Sequence, residues 1–534
     1  MPRFDEPGGA EMDKPMVRRG YRRGLTGSFT GAFPALVLAG LSACASTVPD
    51  SDGIDSRPPG PAAGVATRDS DPQMCDASGT DNGSFSRNVN GTTGLFGIML
   101  KTYTTDPISR PFSTLRSLGF LITHTLADFA NDTVTDMVRL PQITRTPIPP
   151  ITTGPGMDLE AWEQDLDSIT GAKPLPGTIE FLIDGDEYFS SLIESVENAN
   201  ESISLRTYIF DNDDFAIEFA DRLKRRSAEV DIRVSMDGIG TLTGGLVHSG
   251  SMPATFEPPP SIAEYLRTDS KVRARTLTNP WFTGDHTKIT VIDRNVAFLG
   301  GMNIGREYRF DWHDLMVRLE GGVVERLARE SDDAWVKSGV FGDFAAAVRY
   351  FDAGTPSTST GGFPVRVLHT RAHDSQIYKA QLAAIRRAKK FIFIENPYFS
   401  DDNILYELIA ARRRGVDVRF VIAERGDAVL MDMSNAQAIN SMLANGIRVY
   451  MFPGMTHVKA AIVDDWLMVG SANLDKLSLR VNSEVNIATS HPAAVETLKR
   501  RLFDVDFEKS VELKEELPTA PRYHFAEAVA DFFL

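Results

Sequence analysis

The chain has 534 residues, 42% of them hydrophobic and 24% charged, which excludes a disordered or collagenous chain. Lys and Arg number 56 against 72 Asp and Glu, and the formal net charge of -16 opposes nonspecific attraction to nucleic acid unless a cleft gathers basic residues locally. The two cysteines, Cys44 and Cys75, exclude a disulfide framework and a cysteine-rich zinc site.

The first feature in chain order is a leader. Arg18, Arg19, Arg22 and Arg23 precede an apolar stretch from Phe33 to Leu41, the pattern of a secretory signal peptide and too short to span a bilayer. Residues 1–15 are acidic and rich in Pro and Gly, which does not suit the front of such a peptide, so Met16 is an alternative start. The Arg22-Arg23 pair leaves twin-arginine export open. Leu41-Ser42-Ala43-Cys44 resembles the bacterial lipobox, in which the cysteine is lipidated and becomes the first mature residue. That resemblance implies loss of residues 1–43 and a lipid anchor on Cys44; the alternative is a chance cysteine behind an ordinary signal peptide. Ala45 stands where inner-membrane lipoproteins commonly carry aspartate, so the resemblance places the protein on the periplasmic side of the outer membrane.

Residues 45–86 have the Ser, Asp, Gly and Pro content of a tether. Residues 94–139 predict short amphipathic helices that either pack on the body or touch a membrane surface. Pro141 to Pro155 is proline-rich and predicted to be extended. Together 44–172 form an N-terminal segment ahead of the body. The body is a diverged duplication: strand, helix and strand from Ser204 through Leu223 to Val234 recur from Phe391 through Arg413 to Phe420. The fold class is therefore α/β, with two pseudo-symmetric lobes, each a β-sheet flanked by helices, at 173–352 and 363–512. A Gly/Ser/Thr linker (353–362) separates them and a tail (513–534) follows.

Each lobe carries one polar pattern. His286, Lys288 and Asp293 precede Gly300, Gly301 and Asn303; His457, Lys459 and Asp464 precede Gly470, Ser471 and Asn473. Both read HxKxxxxD followed by GGxN or GSxN. Alternate residues of a strand share a face, so each histidine is presented with its lysine. A returning hairpin strand, Val296 to Leu299 or Trp466 to Val469, brings back the glycines, Ser471 and the two asparagines, which supply close approach and hydrogen bonds for an anionic oxygen. Asp314 lies 28 residues after His286 and Glu484 lies 27 after His457; a carboxylate on one imidazole nitrogen sets the tautomer. The pattern describes a phosphate site that calls for no metal or cofactor. The Gly-rich stretch Gly238 to Gly250 reads as a flexible loop, a possible lid. His124, His248, His369, His373, His491 and His524 show no metal-ligand spacing, and His313 is a neighbour of the site.

On these motifs the chain resembles the phospholipase D superfamily over residues 175 to 510. Gly300 to Tyr308, Trp312 to Asp314, Gly470 to Asp475, Asn482 and Glu484 are most similar to the bacterial cardiolipin synthase branch. It departs from that branch at Leu477, where arginine is common, and in having the leader in place of the usual pair of N-terminal membrane helices. The resemblance implies an active site at the interface of the lobes, with His286, Lys288, Asp293, His457, Lys459 and Asp464 as its catalytic residues, nucleophilic attack by His286, acid and base work by His457, and a phosphohistidine intermediate. Lys288, Lys459, Asn303 and Asn473 would then stabilise charge on phosphate oxygens. The implied activity is phosphatidyl transfer, with phospholipid and a membrane surface as partners and no nucleic acid. The rivals are hydrolysis to phosphatidate, nuclease activity and an inactive binding lipoprotein.

Overall fold

Stretches with a repeat of two and stretches with a repeat of 3.6 alternate along the body, and each adopts the element its repeat demands. Ser202–Thr207 alternates half-buried and buried residues as a strand, while Asp214–Arg226 places Phe215, Phe219 and Leu223 on one buried helical face. The computed structural model describes residues 100–519 except 102–103, 120–130, 132–133, 247–248, 279–282, 352–360, 372–373 and 428. The leader, Cys44, the 45–86 tether, residues 94–99 and most of the linker and tail lie outside the described residues. Among the described residues no helix is long and apolar enough to cross a membrane.

The first lobe contains β1 (Leu175–Ile183), β2 (Ser202–Thr207), β3 (Asp231–Asp237), β4 (Arg273–Leu277), β5 (Ile289–Ile292), β6 (Val296–Gly300) and β7 (Leu315–Gly321). The second contains β8 (Phe363–Arg371), the short β9 (Asp374–Ser375), β10 (Phe391–Glu395), β11 (Asp417–Ala423), β12 (Arg448–Phe452), β13 (Ala460–Val463), β14 (Trp466–Gly470), β15 (Glu484–Thr489) and β16 (Val511–Glu512). Their spatial orders are β1-β7-β6-β5-β2-β3-β4 and β8-β15-β14-β13-β10-β11-β12, with β16 at the outer edge. The orders match strand for strand, so the duplication read in the sequence is a duplication of topology. Antiparallel pairing of β1 with β8, from Leu175↔Val365 to Gly177↔Phe363, joins the halves into one sheet.

Strand alternation divides the core. Ile289 and Val291 of β5, with Ala460 and Ile462 of β13, face an apolar cluster shared by both lobes. Their neighbours Ile292, on one side, and Ala461 and Val463, on the other, face the separate core of their own lobe. The HxK strands are thereby pinned from both faces, which is what holds a site between the lobes to a fixed geometry.

Two expectations need correction, and one packing arrangement adds to the sequence reading. The stretch from Pro141 is not extended throughout: Leu140–Thr144 is a helical turn with proline at its start, where no N–H is needed. The helix Leu159–Thr170, which precedes the first lobe in sequence, packs with the second, burying Trp162 edge-on to Trp466 at 5.3 Å. The Gly-rich stretch begins as a helical turn, Gly238–Gly244, whose first amides donate to Asp237.

Asp293 and Asp464, read as catalytic, occupy hairpin turns instead. Each has a left-handed φ, 50° and 52°, a conformation that Asp tolerates. The Asp293 carboxylate accepts from the amides of Asn200, Glu201 and Ser202, each at 2.8 Å. That of Asp464 accepts from Met157, Lys389, Lys390 and Phe391 at 2.7–3.0 Å. Five residues of extended chain put each about 17 Å beyond its lysine. Both acids tie a hairpin to neighbouring backbone. Asp464→Asn, which keeps the shape and removes the charge, is expected to destabilise the fold by about 2 kcal/mol while turnover per folded molecule stays within about twofold. Thermal unfolding and a kinetic assay check this; lost turnover at an unchanged melting transition would return Asp464 to the chemistry.

Candidate active site

The entry to each HxK strand is sewn to the opposite lobe. The His286 amide donates to Ser483 O at 3.0 Å, and the Ser483 amide to Gly284 O at 2.9 Å. In the mirrored place, His457 N donates to His313 O at 2.7 Å and His313 N to Met455 O at 3.0 Å. Ser483 and His313 are the residues just before Glu484 and Asp314. Backbone pairing alone therefore delivers each carboxylate to the other lobe's histidine.

The side chains complete the exchange. His286 Nδ1 lies 2.8 Å from Glu484 Oε1, and His457 Nδ1 lies 2.7 Å from Asp314 Oδ2. With Nδ1 held by a carboxylate, chemistry falls to Nε2. The small residue of each Gly/Ser motif is matched to its acid. A Cβ at Gly301 would overlap the Asp314 carboxylate, so glycine is required there. In the second lobe the acid is the longer Glu484, and Ser471 fits: its hydroxyl oxygen accepts from Val485 N at 3.0 Å and its proton goes to Glu484 Oε2 at 2.6 Å.

Both lysines are buried beside the histidines, donating to the carbonyls of His286 and His457 at 2.8 and 2.6 Å. Burial pushes Lys288 down to about 7, and the Lys459 charge adds to that; Lys459 itself is pushed to about 8 by burial. Burial and the two lysine charges hold both imidazoles well below their usual range. Burial lifts Asp314 to about 7 and Glu484 to about 8. An anion placed beside the two lysines would favour their charged forms.

Asn303 is also buried in the site, but its carbonyl oxygen accepts from Ile209 N at 3.0 Å and Thr207 Oγ1 at 3.2 Å, so only its amide nitrogen can face a phosphate. Asn473 is buried next to Asp475, whose carboxyl burial raises to about 7. Several residues of the site carry no signal in the motif. The Tyr208 ring stands edge-on to His286 at 4.8 Å with the Lys288 ammonium 5.3 Å from its centroid, and Trp312 and Tyr308 lie 5.3 and 5.7 Å from the His457 ring. Arg206 forms a paired contact with Asp285 at 2.7 and 2.8 Å, whereas Glu395, its equivalent in β10, accepts from Thr456 Oγ1 at 2.5 Å. Only the pairing of β2 with β5 and of β10 with β13 reveals that correspondence.

Two groups bring possible metal ligands together among the described residues: His313, Glu395 and Asp506, and Asp211, Asp213 and Glu307. In the first, His313 has Asp184 at 2.6 Å on Nδ1 and Asp506 at 3.1 Å on Nε2, and although burial opposes its charge, the carboxylates hold the imidazole well above its usual range. Both ring nitrogens of His313 are thus engaged by carboxylates. In the second, both Asp213 oxygens accept backbone amides, from Ala216 and Arg306. Neither group contains a histidine or lysine of the HxK motifs.

Glu484→Gln keeps a hydrogen-bonding side chain but removes the charge that sets the His286 tautomer. Turnover is expected to fall about 10²–10⁴-fold with little change in substrate KM or melting transition. Steady-state kinetics on the purified variant check this.

A family model described as "Cardiolipin synthase, PLD-like domain" matches residues 382–505. The chain is 28% identical over 354 residues to cardiolipin synthase 1 of Bacillus cereus, covering 63% of this chain and 68% of that protein. It is 29% identical over 352 residues to the cardiolipin synthase of Listeria innocua, covering 64% of this chain and 70% of that one. Its fold is similar to that of phosphatidylserine synthase from Haemophilus influenzae, with a TM-score of 0.53 and 14% identity over 70% of this chain and 99% of that structure. The family model and the relatives support the resemblance to the phospholipase D superfamily and its cardiolipin synthase branch, and the structural likeness is one of fold.

Proposed function

We propose that this protein is a phosphatidyltransferase of the cardiolipin synthase type, working through a covalent phosphohistidine. The observation that carries the mechanism is the exchange of carboxylates: each histidine is held by Glu484 or Asp314 of the other lobe, beside both lysines. Nε2 of His286 attacks the phosphorus of a phospholipid diester, and the P–O bond to the departing alcohol breaks. That oxygen takes a proton from Nε2 of His457. An incoming lipid alcohol then returns a proton to His457 and displaces His286 from phosphorus. Lys288 and Lys459 hold the non-bridging oxygens throughout.

The two pairs differ: the Ser471 hydroxyl donates to Glu484, whereas Asp314 receives no such hydroxyl from Gly301. The assignment of attack to His286 rests on the superfamily resemblance. The histidine side chains are only 12% and 6% exposed, which favours transfer over hydrolysis by limiting water at the intermediate. The cardiolipin synthase relatives support phosphatidylglycerol as the substrate to test first. A lipid on Cys44 would hold the enzyme at the periplasmic face of the outer membrane, a reading supported by the lipobox-like quartet and the tether composition of residues 45–86.

One imidazole–carboxylate pair must hold one proton, for attack, and the other two, for protonation. With the acids lifted to about 7 and about 8, lowering the pH below that window fills both pairs and removes the nucleophile, while raising it empties both and removes the acid. A bell-shaped kcat/KM profile with its maximum between about 7 and 8 is expected. Incubation with phosphatidylglycerol, read by mass spectrometry, should give a lipid dimer with release of glycerol; phosphatidate as sole product would make the enzyme a hydrolase. Quenched turnover should trap phosphate on the His286 peptide, and label on the His457 peptide would reverse the roles. Palmitate labelling should mark the parent chain and not Cys44→Ala; an unlabelled parent would remove the anchor.

A further inference from the structure

Two short helical segments on the first lobe present their apolar stripes outward. In residues 111–119 and the turn before them, Ile108, Phe112 and Leu115 fall on one side and are 78%, 68% and 71% exposed. On the helix Gly342–Phe351 and its entry, Phe341, Phe344 and Val348 do the same at 73%, 54% and 73%. A helix normally turns such a stripe to the core. Here the two stripes adjoin: the Phe112 and Phe344 rings meet edge to face at 6.0 Å, and the Ser113 amide donates to Asp343 at 2.7 Å. Gly342, at φ 39°, lets the Ser109 carbonyl and the Arg110 side chain approach too closely for any Cβ. The contact is therefore built in detail, yet its apolar side is left uncovered by the described residues.

A cavity of about 280 Å³ borders this face and is lined by Arg110, Arg116, Lys337 and Arg371. Three of the acids that share its wall are engaged by partners of their own. Glu330 binds His369 at 2.7 Å and Arg326 at 2.6 Å, and Asp285 is held by Arg206. Glu484 is held by His286, and Asp333 lies one helical turn before Lys337. Arg116 and Lys337 are exposed and neither is within ion-pair distance of a carboxylate among the described residues, although Asp333 and Asp343 act on Lys337 from farther away. In a chain of net charge -16, an apolar face fringed by cations is complementary to an anionic, apolar surface.

We propose that this paired-helix face docks on an anionic phospholipid bilayer, with Phe112, Phe341 and Phe344 entering the acyl boundary and Arg116 and Lys337 meeting lipid phosphates. The amphipathic pattern of a helix lying in an interface, with an apolar stripe between cationic flanks, is what the two segments provide together. The inference rests on the preceding reading only in that the substrate lipid resides in a membrane. Turnover of a short-chain, monodisperse phospholipid tests that reading separately from docking.

The experiment is vesicle flotation of the full chain carrying Cys44→Ala, so that no acyl anchor contributes. Binding is expected to vesicles rich in phosphatidylglycerol and at least about tenfold weaker to phosphatidylcholine alone. Phe112→Ser with Phe344→Ser should weaken flotation at least about tenfold at an unchanged melting transition. Should that pair of substitutions unfold the chain, Arg116→Glu decides the matter, because an exposed, unpaired side chain can change without cost to the fold. It should remove the preference for the anionic lipid. Equal binding to both vesicles, variants that float like the parent, or loss of an oligomer without loss of flotation would overturn the proposal.

Discussion

Everything in this active site depends on a carboxylate crossing from one lobe to the imidazole of the other. Neither lobe can orient its own histidine: Glu484 serves His286 and Asp314 serves His457. The crossing is not left to flexible side chains. It is set by backbone bridges between Asp285 and Ser483 and between His313 and Thr456, and by the shared apolar cluster under β5 and β13. A displacement of one lobe against the other would cost catalytic geometry and core packing together, so the interface is as rigid as a domain core.

The electrostatic consequence is a dense group of ionisable side chains, two lysines, two histidines and two acids, in a place where charge is poorly solvated. Each departs toward its neutral form: the lysines and imidazoles are depressed, the acids raised. Burial disfavours charge throughout such a cluster, and a bound anion would offset that for the lysines. Lysine charge does here what oriented donors or an ion do at other developing oxyanions.

The two halves keep a common plan while diverging in chemistry. Arg206 and Asp285 answer each other in the first lobe; Glu395 and Thr456 occupy the same places in the second. Gly301 makes room for Asp314, whereas Ser471 donates to Glu484. The site is pseudo-symmetric in framework and asymmetric in proton handling, which is what two histidines with different tasks need.

The sequence by itself determined the duplication, the α/β class and the two HxK presentations, because each follows from local periodicity and spacing. Alternation along a strand is a property of the backbone, so His286 with Lys288 and His457 with Lys459 were legible residue by residue. The final Asp of each motif was misread for the same reason: spacing marks Asp293 and Asp464 as part of a repeat, but nothing local says that their oxygens are spent on backbone amides of another segment. Asp314 and Glu484 were found by parallel placement, yet which histidine each serves was decided only by the pairing of one lobe's strand entry with the other's. Tertiary structure also decided the aromatic walls at Tyr208 and Trp312, the packing of Leu159–Thr170 on the second lobe, and the outward turn of Phe112 and Phe344. These depend on contacts between residues distant in sequence, and local pattern carries no record of which distant surface a side chain will meet.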